Sequence, residues 1–238
     1  MEPFCEQCKE IKISKDTNNR VSNSYLKSYK RSTIQTLSKD SILFDKEIQK
    51  ATFDSFVAKT EEENNAKQQA ILFAKEYTEN RAKPFNTIFT GKAGTGKSHL
   101  AMSILKYVNG NLAPPASCLF ISVNELLRLV KDSFNNPESK YTELNMVHLL
   151  GKANLLVLDD LGSESSFKRE SRESSEFVQQ FLFGILDRRE RTIITTNLSS
   201  EELREIYNPK ITSRMYKNVK NHIVKFSNAT SDKRLIEF

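Results

Sequence analysis

A chain of 238 residues, 38% of them hydrophobic, is long enough for one substantial core plus an extension and too short for two full domains. It contains no run of 18 apolar residues, and its start, Met1-Glu2-Pro3-Phe4-Cys5, lacks the basic-then-apolar layout of a secretory leader. The expectation is a soluble, cytoplasmic protein without membrane contact. Three cysteines make no disulfide framework, and a net charge of +6 permits contact with nucleic acid without requiring it.

Residues 1–50 are rich in Lys, Ser, Asn and Thr, with sparse apolar positions at Tyr25, Leu26, Tyr29, Ile34 and Leu37. They read as a small, mostly helical extension with little core of its own. Within it Ile42, Leu43, Phe44 and Ile48 fit one short helix, and the core is expected to begin near residue 51, where Phe53 and Phe56 appear. From Ala66 a helical period runs through Ala70, Phe73, Ala74 and Tyr77, and Pro84 precedes a short apolar strand over 85–90. After a glycine-rich turn, apolar residues at Leu100, Ala101, Ile104, Leu105 and Val108 mark a second helix that ends near Gly110.

Pro114 and Pro115 mark a loop, 117–123 a strand in which Cys118 is a small buried hydrophobe, and Leu126, Leu127, Val130 and Phe134 one face of a helix. Asn135-Asn136-Pro137 breaks this helix from a shorter one around Leu144, Val147 and Leu150. A buried strand follows over 155–158, then a helical face of Phe177, Phe181 and Ile185, then a strand over 192–196. Strands alternating with helices imply an α/β fold whose parallel sheet is covered on both faces.

The turn between the first strand and its helix is Gly91-Lys92-Ala93-Gly94-Thr95-Gly96-Lys97-Ser98, a complete GxxxxGK[ST] phosphate-binding loop in the strand-turn-helix setting its mechanics require. Its glycines let backbone N–H groups wrap the phosphates, the helix N-terminus adds partial positive charge, Lys97 reaches the β- and γ-phosphates, and Ser98 holds Mg²⁺. His99, next in the chain, joins the loop as a cofactor-binding candidate. The run Leu155-Leu156-Val157-Leu158-Asp159-Asp160 resembles a Walker B element, with Asp159 in the Mg²⁺ shell and Asp160 orienting or deprotonating the attacking water. Thr195-Thr196-Asn197 ends a β-branched strand, which places the Asn197 amide at the carboxyl edge as a water-positioning group or as a helix cap. Arg214, in Ser213-Arg214-Met215 with Lys217 and Lys220 beyond, is either an arginine finger for a neighbouring subunit's γ-phosphate or a solvated surface arginine.

Taken in order, these motifs resemble the AAA+ ATPases of the DnaC/DnaI helicase-loader group, which also contains the IstB transposition helper. The resemblance extends through Ala51-Thr52-Phe53-Asp54-Ser55-Phe56, Ile185-Leu186-Asp187-Arg188-Arg189 and the ending Val224-Lys225-Phe226, covering roughly 51–238. It implies a P-loop three-layer sandwich over 51–238, ATP with Mg²⁺, an Arg214 that acts in trans between head-to-tail subunits, an adenine bordered by residues 52–56, and Arg234 as the sensor 2 arginine. Only about a dozen residues follow Phe226, so the usual helical lid is expected to be absent or vestigial. Cys5 and Cys8 look like half of a zinc module without a second pair, and tetrahedral zinc needs four ligands.

The function implied first is a helicase loader, with residues 1–50 gripping a replicative hexameric helicase and the core on single-stranded DNA, its phosphate contacts drawn from Arg128, Lys131, Lys152 and Lys168. An IstB-like transposition helper is the second reading, and a nucleotide-dependent protein that sequesters a helicase with little turnover the third. The cysteine-headed extension favours the first. The intact Lys97, Asp159, Asp160, Asn197 and Arg214 speak against the third.

Overall fold

The computed structural model describes residues 6–166 and 172–227, with side chains over 14–164 and 176–227. A 27-residue helix α1 (Glu6–Ser32) and a single turn α2 (Thr36–Lys39) lead into α3 (Glu61–Glu79) and then β1 (Thr87–Thr90), α4 (Lys97–Asn111), β2 (Cys118–Ser122), α5 (Val123–Asp132) and α6 (Glu143–Lys152). After these come β3 (Leu155–Asp159), α7 (Arg172–Leu186), β4 (Thr192–Thr196), α8 (Ser200–Ile206), α9 (Pro209–Met215) and β5 (Ile223–Lys225). The five strands form one parallel sheet in the order β2-β3-β4-β1-β5.

Both faces of that sheet are apolar, which is why its strands read as continuous hydrophobic runs rather than alternating ones. Ile88, Leu119, Ile121, Leu156, Leu158 and Ile194 pack under α5 to α9, while Phe89, Cys118, Phe120, Leu155, Val157 and Ile193 pack under α3 and α4. Helix α3 supplies Ala66, Ala70, Phe73, Ala74 and Tyr77 as its buried stripe. It begins with a capping box between Thr60 and Glu63, and three acids in its first turn complement the helix dipole. The three-layer sandwich implied by the resemblance is thus present.

Three local expectations fail for physical reasons. Residues 42–48 do not form one helix: Ile42 pairs in parallel with Ile121, its N–H donating to Phe120 O (2.9 Å) and its carbonyl accepting from Ser122 N (2.8 Å), because the outer edge of β2 needs backbone partners. Only Lys46–Lys50 coil, as a 3-10 turn capped by Asp45, and Phe44 is exposed. The packed core therefore reaches back to Thr36, bonded to Cys118, and to Ile42, ahead of residue 51. Phe134 lies beyond the end of α5, exposed and edge-on to Phe177, because the chain tightens into a turn at Ser133. The shorter helix expected around Leu144, Val147 and Leu150 is present as α6, with Met146, Val147 and Leu150 on its buried side and Leu144 exposed.

Two buried arginines close the side of the sheet away from the phosphate loop. Arg189 donates to Leu150 O (3.0 Å), Ala153 O and Arg191 O (2.6 Å), capping the C-terminal end of α6. Arg191 donates to Tyr77 O near the end of α3 and lies 5.1 Å from the Tyr77 ring centroid. A helix C-terminus is a partial negative charge, so each guanidinium meets carbonyls in place of a carboxylate. Burial pushes Arg189 down to about 10.

Candidate active site

Gly91 and Gly96 are glycines because two aromatic residues close on the loop. Gly91 has φ +144°, and a Cβ there would lie 2.7 Å from both Cβ and the carbonyl oxygen of Phe226. Gly96 has φ +95°, and its Cβ would lie 2.6 Å from Phe56. Phe226 is locked in place by its N–H to Thr90 O (2.8 Å). Between them Lys97 is buried, its ammonium donating to Gly91 O (2.7 Å) and Lys92 O (2.6 Å), while Thr95 Oγ1 also donates to Lys92 O (3.0 Å). Ala93 and Gly94, the latter at φ +76°, complete the turn. The His99 imidazole lies 2.9 Å from Thr52 O and 3.1 Å from Ser55 Oγ and packs edge-on to Phe56, strapping residues 52–56 to the first turn of α4.

At the end of β3 the two aspartates are joined to β4 by a short hydrogen-bond chain. Thr195 Oγ1 donates to Asp159 Oδ1 (2.7 Å) and accepts from Asp160 N (2.9 Å), and Asn197 Nδ2 donates to Asp160 Oδ1 (2.7 Å). Burial pushes the Asp159 carboxyl above its usual range; hydrogen bonds from Ser98 and Thr195 pull it back, Asp160 adds to the rise and Lys97 opposes it. Asp160 sits at φ +58°. Asp tolerates this left-handed backbone through short side-chain contacts, which gives a physical reason for Asp at this turn. Its carbonyl accepts from Ser163 Oγ (2.6 Å), which in turn accepts from Asn124 Nδ2 (2.7 Å).

The structure therefore brings Lys97, Ser98, Asp159, Asp160 and Asn197 to one edge of the sheet. A Ser hydroxyl hydrogen-bonded to a partly buried carboxylate, beside the phosphate loop, is an oxygen-donor pair of the kind Mg²⁺ takes. Asn197 is not the cap of α8: that role falls to Ser199, whose side chain accepts from Glu202 N. Thr195 is a member of the site that inspection of motifs passes over. The signal for it is position: the last residues of β4 reach the same edge of the parallel sheet as Asp159 at the end of β3.

Arg214 is elsewhere. It lies in the last turn of α9 at the amino edge of the sheet, where Asn86, just ahead of β1, donates to Arg214 O (2.8 Å). Strands of four or five residues, at about 3.3 Å each, separate this edge from the phosphate loop by something on the order of 15 Å. Its guanidinium pairs with Asp187 at 2.9 Å. Arg128 is held by Glu125 and Asp132 on the exposed side of α5. Arg234, Lys168 and Cys5 lie outside the described residues, as does the side chain of Cys8. No described helix is long and apolar enough to cross a membrane.

With this geometry in hand, the chain compares closely with known proteins. The replicative helicase loader DnaC of Escherichia coli (strain K12) is 31% identical over 167 residues, 70% of this chain and 63% of that protein, so the chain spans less than two thirds of the curated relatives it matches. Among solved structures, the DnaC helicase loader superposes with a TM-score of 0.61 at 24% identity, over 77% of this chain and all of that one. DnaI superposes with a TM-score of 0.55 at 20% identity, over 82% and 96%. At these identities the two superpositions establish the fold. The family model described as IstB-like ATP binding protein matches residues 31–235, and on that match the chain belongs to the IstB-like ATP-binding protein family, homologous to the DnaC loaders.

Proposed function

We propose that this chain is an ATP-hydrolysing helicase loader acting in the cytoplasm during DNA replication. The observation that carries the reading is the split site: Lys97, Asp159, Asp160 and Asn197 share one edge of the sheet while Arg214 sits at the other. A single copy cannot bring Arg214 to its own phosphate loop, so the site is complete only when copies stack head to tail, which ties turnover to assembly. Lys97 would neutralise the β- and γ-phosphates, Asp160 would accept a proton from water oriented by Asn197, and Arg214 of the next copy would meet charge developing on the γ-phosphate. Ser98 and Asp159 would hold Mg²⁺, which supplies further charge neutralisation at those phosphates. Residues 52–56, His99 and Phe226 would border the base, with Arg234 as a further phosphate contact.

The 31% identity to a DnaC loader supports a replicative hexameric helicase as partner and single-stranded DNA as the track on which the core assembles. The N-terminal extension, residues 1–50, would grip the helicase. The family match to IstB-like proteins favours a second reading, an ATPase that arranges DNA for a transposase, and it begins at residue 31, leaving most of α1 outside it. Native mass spectrometry of the chain with a replicative helicase hexamer, ATP and Mg²⁺ separates the two. A complex holding several copies per hexamer is expected; free hexamer beside free protein would move the assignment to the transposition helper.

A further inference from the structure

The Arg214 side chain is fixed more fully than a surface arginine needs to be. Its own carbonyl accepts from Asn86 Nδ2 at 2.8 Å and the next carbonyl, Met215 O, accepts from the same nitrogen at 3.2 Å. At the other end of α9, Asn208 caps the helix through Lys210 N (2.9 Å), and the Asn208 N–H donates to Gln179 Oε1 of α7 (2.9 Å). The guanidinium lies 5.6 Å from the ring centroid of Phe183, also on α7. Immediately after α7, Asp187 Oδ1 accepts from Arg214 Nε at 3.0 Å and forms an ion pair with Nη2 at 2.9 Å.

We propose that Asp187 is a positioning residue for Arg214, holding its guanidinium with the outer edge turned toward the phosphate of a neighbouring copy; this rests on the trans reading above and adds to it. A guanidinium carries five N–H groups in a planar fork. Asp187 occupies the edge made by Nε and one N–H of Nη2. The two N–H groups of Nη1 and the second of Nη2 remain, and they form the end-on fork that meets a phosphate with two parallel hydrogen bonds. The clasp on one edge therefore leaves the useful edge open, and it removes rotation about the last side-chain bonds before any neighbour arrives. Both side chains are part-exposed, 39% for Arg214 and 47% for Asp187, so a docking copy reaches them without opening the core. In the alternative, Asp187 merely pins α9 to α7.

Pairwise mixing of full-length variants, read as ATP turnover with Mg²⁺, decides between these. Lys97→Ala retains the arginine and loses the phosphate loop; Arg214→Ala does the opposite. Their mixture is expected to hydrolyse ATP faster than either alone, and a mixture that does not would sink the trans reading together with this inference. Given that rescue, Asp187→Ala alone should lower kcat by about tenfold to a hundredfold, the cost of a misaimed group, with KM for ATP unchanged. Adding Lys97→Ala should restore it, because the partner then supplies a correctly held Arg214. Asp187→Asn keeps an acceptor oxygen and should fall between wild type and Asp187→Ala, which keeps the question open to test if the alanine variant folds poorly. A wild-type kcat in both Asp187 variants, or failure of Lys97→Ala to rescue them while it rescues Arg214→Ala, overturns the proposal.

Discussion

The two edges of the sheet put side-chain hydrogen bonds to different uses, although each edge contains both side-chain pairs and side chain-to-backbone bonds. At the carboxyl edge side chains bond to one another: Thr195 to Asp159, Asn197 to Asp160, Asn124 to Ser163. At the amino edge side chains bond to the backbone at the ends of helices: Asn86 to the carbonyls of Arg214 and Met215, Arg189 to those of Leu150 and Ala153, Arg191 to that of Tyr77. Side-chain pairs fix the position of reacting groups, whereas caps fix the ends of helices. Changes to the side-chain pairs at the first edge should then cost rate, and changes to the helix caps at the second should cost stability; the Arg214–Asp187 pair, at the second edge but built from side chains, belongs with the first kind.

The largest expected effect is at the carboxyl edge. Asp160→Asn keeps the size of the side chain and removes its basicity, so single-turnover hydrolysis should drop by about a hundredfold or more, while a fluorescent ATP analogue binds as before. An unchanged rate would discard Asp160 as the water-activating group. At the amino edge Asn86→Ala strips a donor from two carbonyls and leaves the buried Thr192 N–H without the Asn86 Oδ1 that accepts it at 2.9 Å. The expected loss is about 3 kcal/mol of unfolding free energy, measured by urea denaturation, with the affinity of the phosphate loop for nucleotide intact. A variant that loses nucleotide affinity at full stability would erase the contrast between the edges. Thr195→Val is the sharper and smaller probe, since it is nearly isosteric and removes one hydroxyl that serves both aspartates. We expect a roughly tenfold fall in turnover, equivalent to about 1.4 kcal/mol, and a change of melting temperature smaller than that of Asn86→Ala.

What the amino-acid sequence disclosed follows from how local each feature is. The phosphate loop is eight consecutive residues with fixed roles, β2 and β3 open with four-residue apolar runs and β4 is β-branched throughout, so all are legible at once. The meeting of Asp160 with Asn197 spans 37 positions yet was legible through a rule of topology, because parallel strands deliver their ends to the same edge. Strand β5 has three residues and only Val224 of them is buried; without the family likeness it carries too little pattern to be read. Docking of Ile42 on β2 is a matter of backbone groups, which leave no mark in side-chain periodicity. The pairing of Arg214 with Asp187 joins two helix ends 27 positions apart, and neither residue type nor spacing announces it.

The amino edge also holds the one place where the contrast predicts a dependence on pH. Glu76 of α3 accepts from Lys83 Nζ (2.5 Å) and from His222 Nε2 (2.8 Å), while His222 Nδ1 lies 2.9 Å from Lys220 O and its carbonyl receives Ile88 N at the start of the β1 to β5 pairing. The ring lies between Glu76 on one nitrogen and a backbone carbonyl on the other, and so ties α3 to the sheet edge. Burial would raise the Glu76 carboxyl, but the hydrogen bonds and charges of Lys83 and His222 outweigh it and leave Glu76 below its ordinary value. A carboxyl whose folded value is depressed binds fewer protons in the native state than in the unfolded one, so its contribution is present above the ordinary carboxylate range and disappears as pH falls through the depressed value. Glu76→Gln should accordingly be less stable than wild type at pH 7, by about 1 kcal/mol for hydrogen bonds at a largely buried pair. The gap should close on acidification, when the wild-type carboxyl protonates. Thermal melts of both proteins across that range check the sign: a difference that stays constant with pH would mean that Glu76 packs against the edge without contributing its charge, and a difference that widens in acid would reverse the argument.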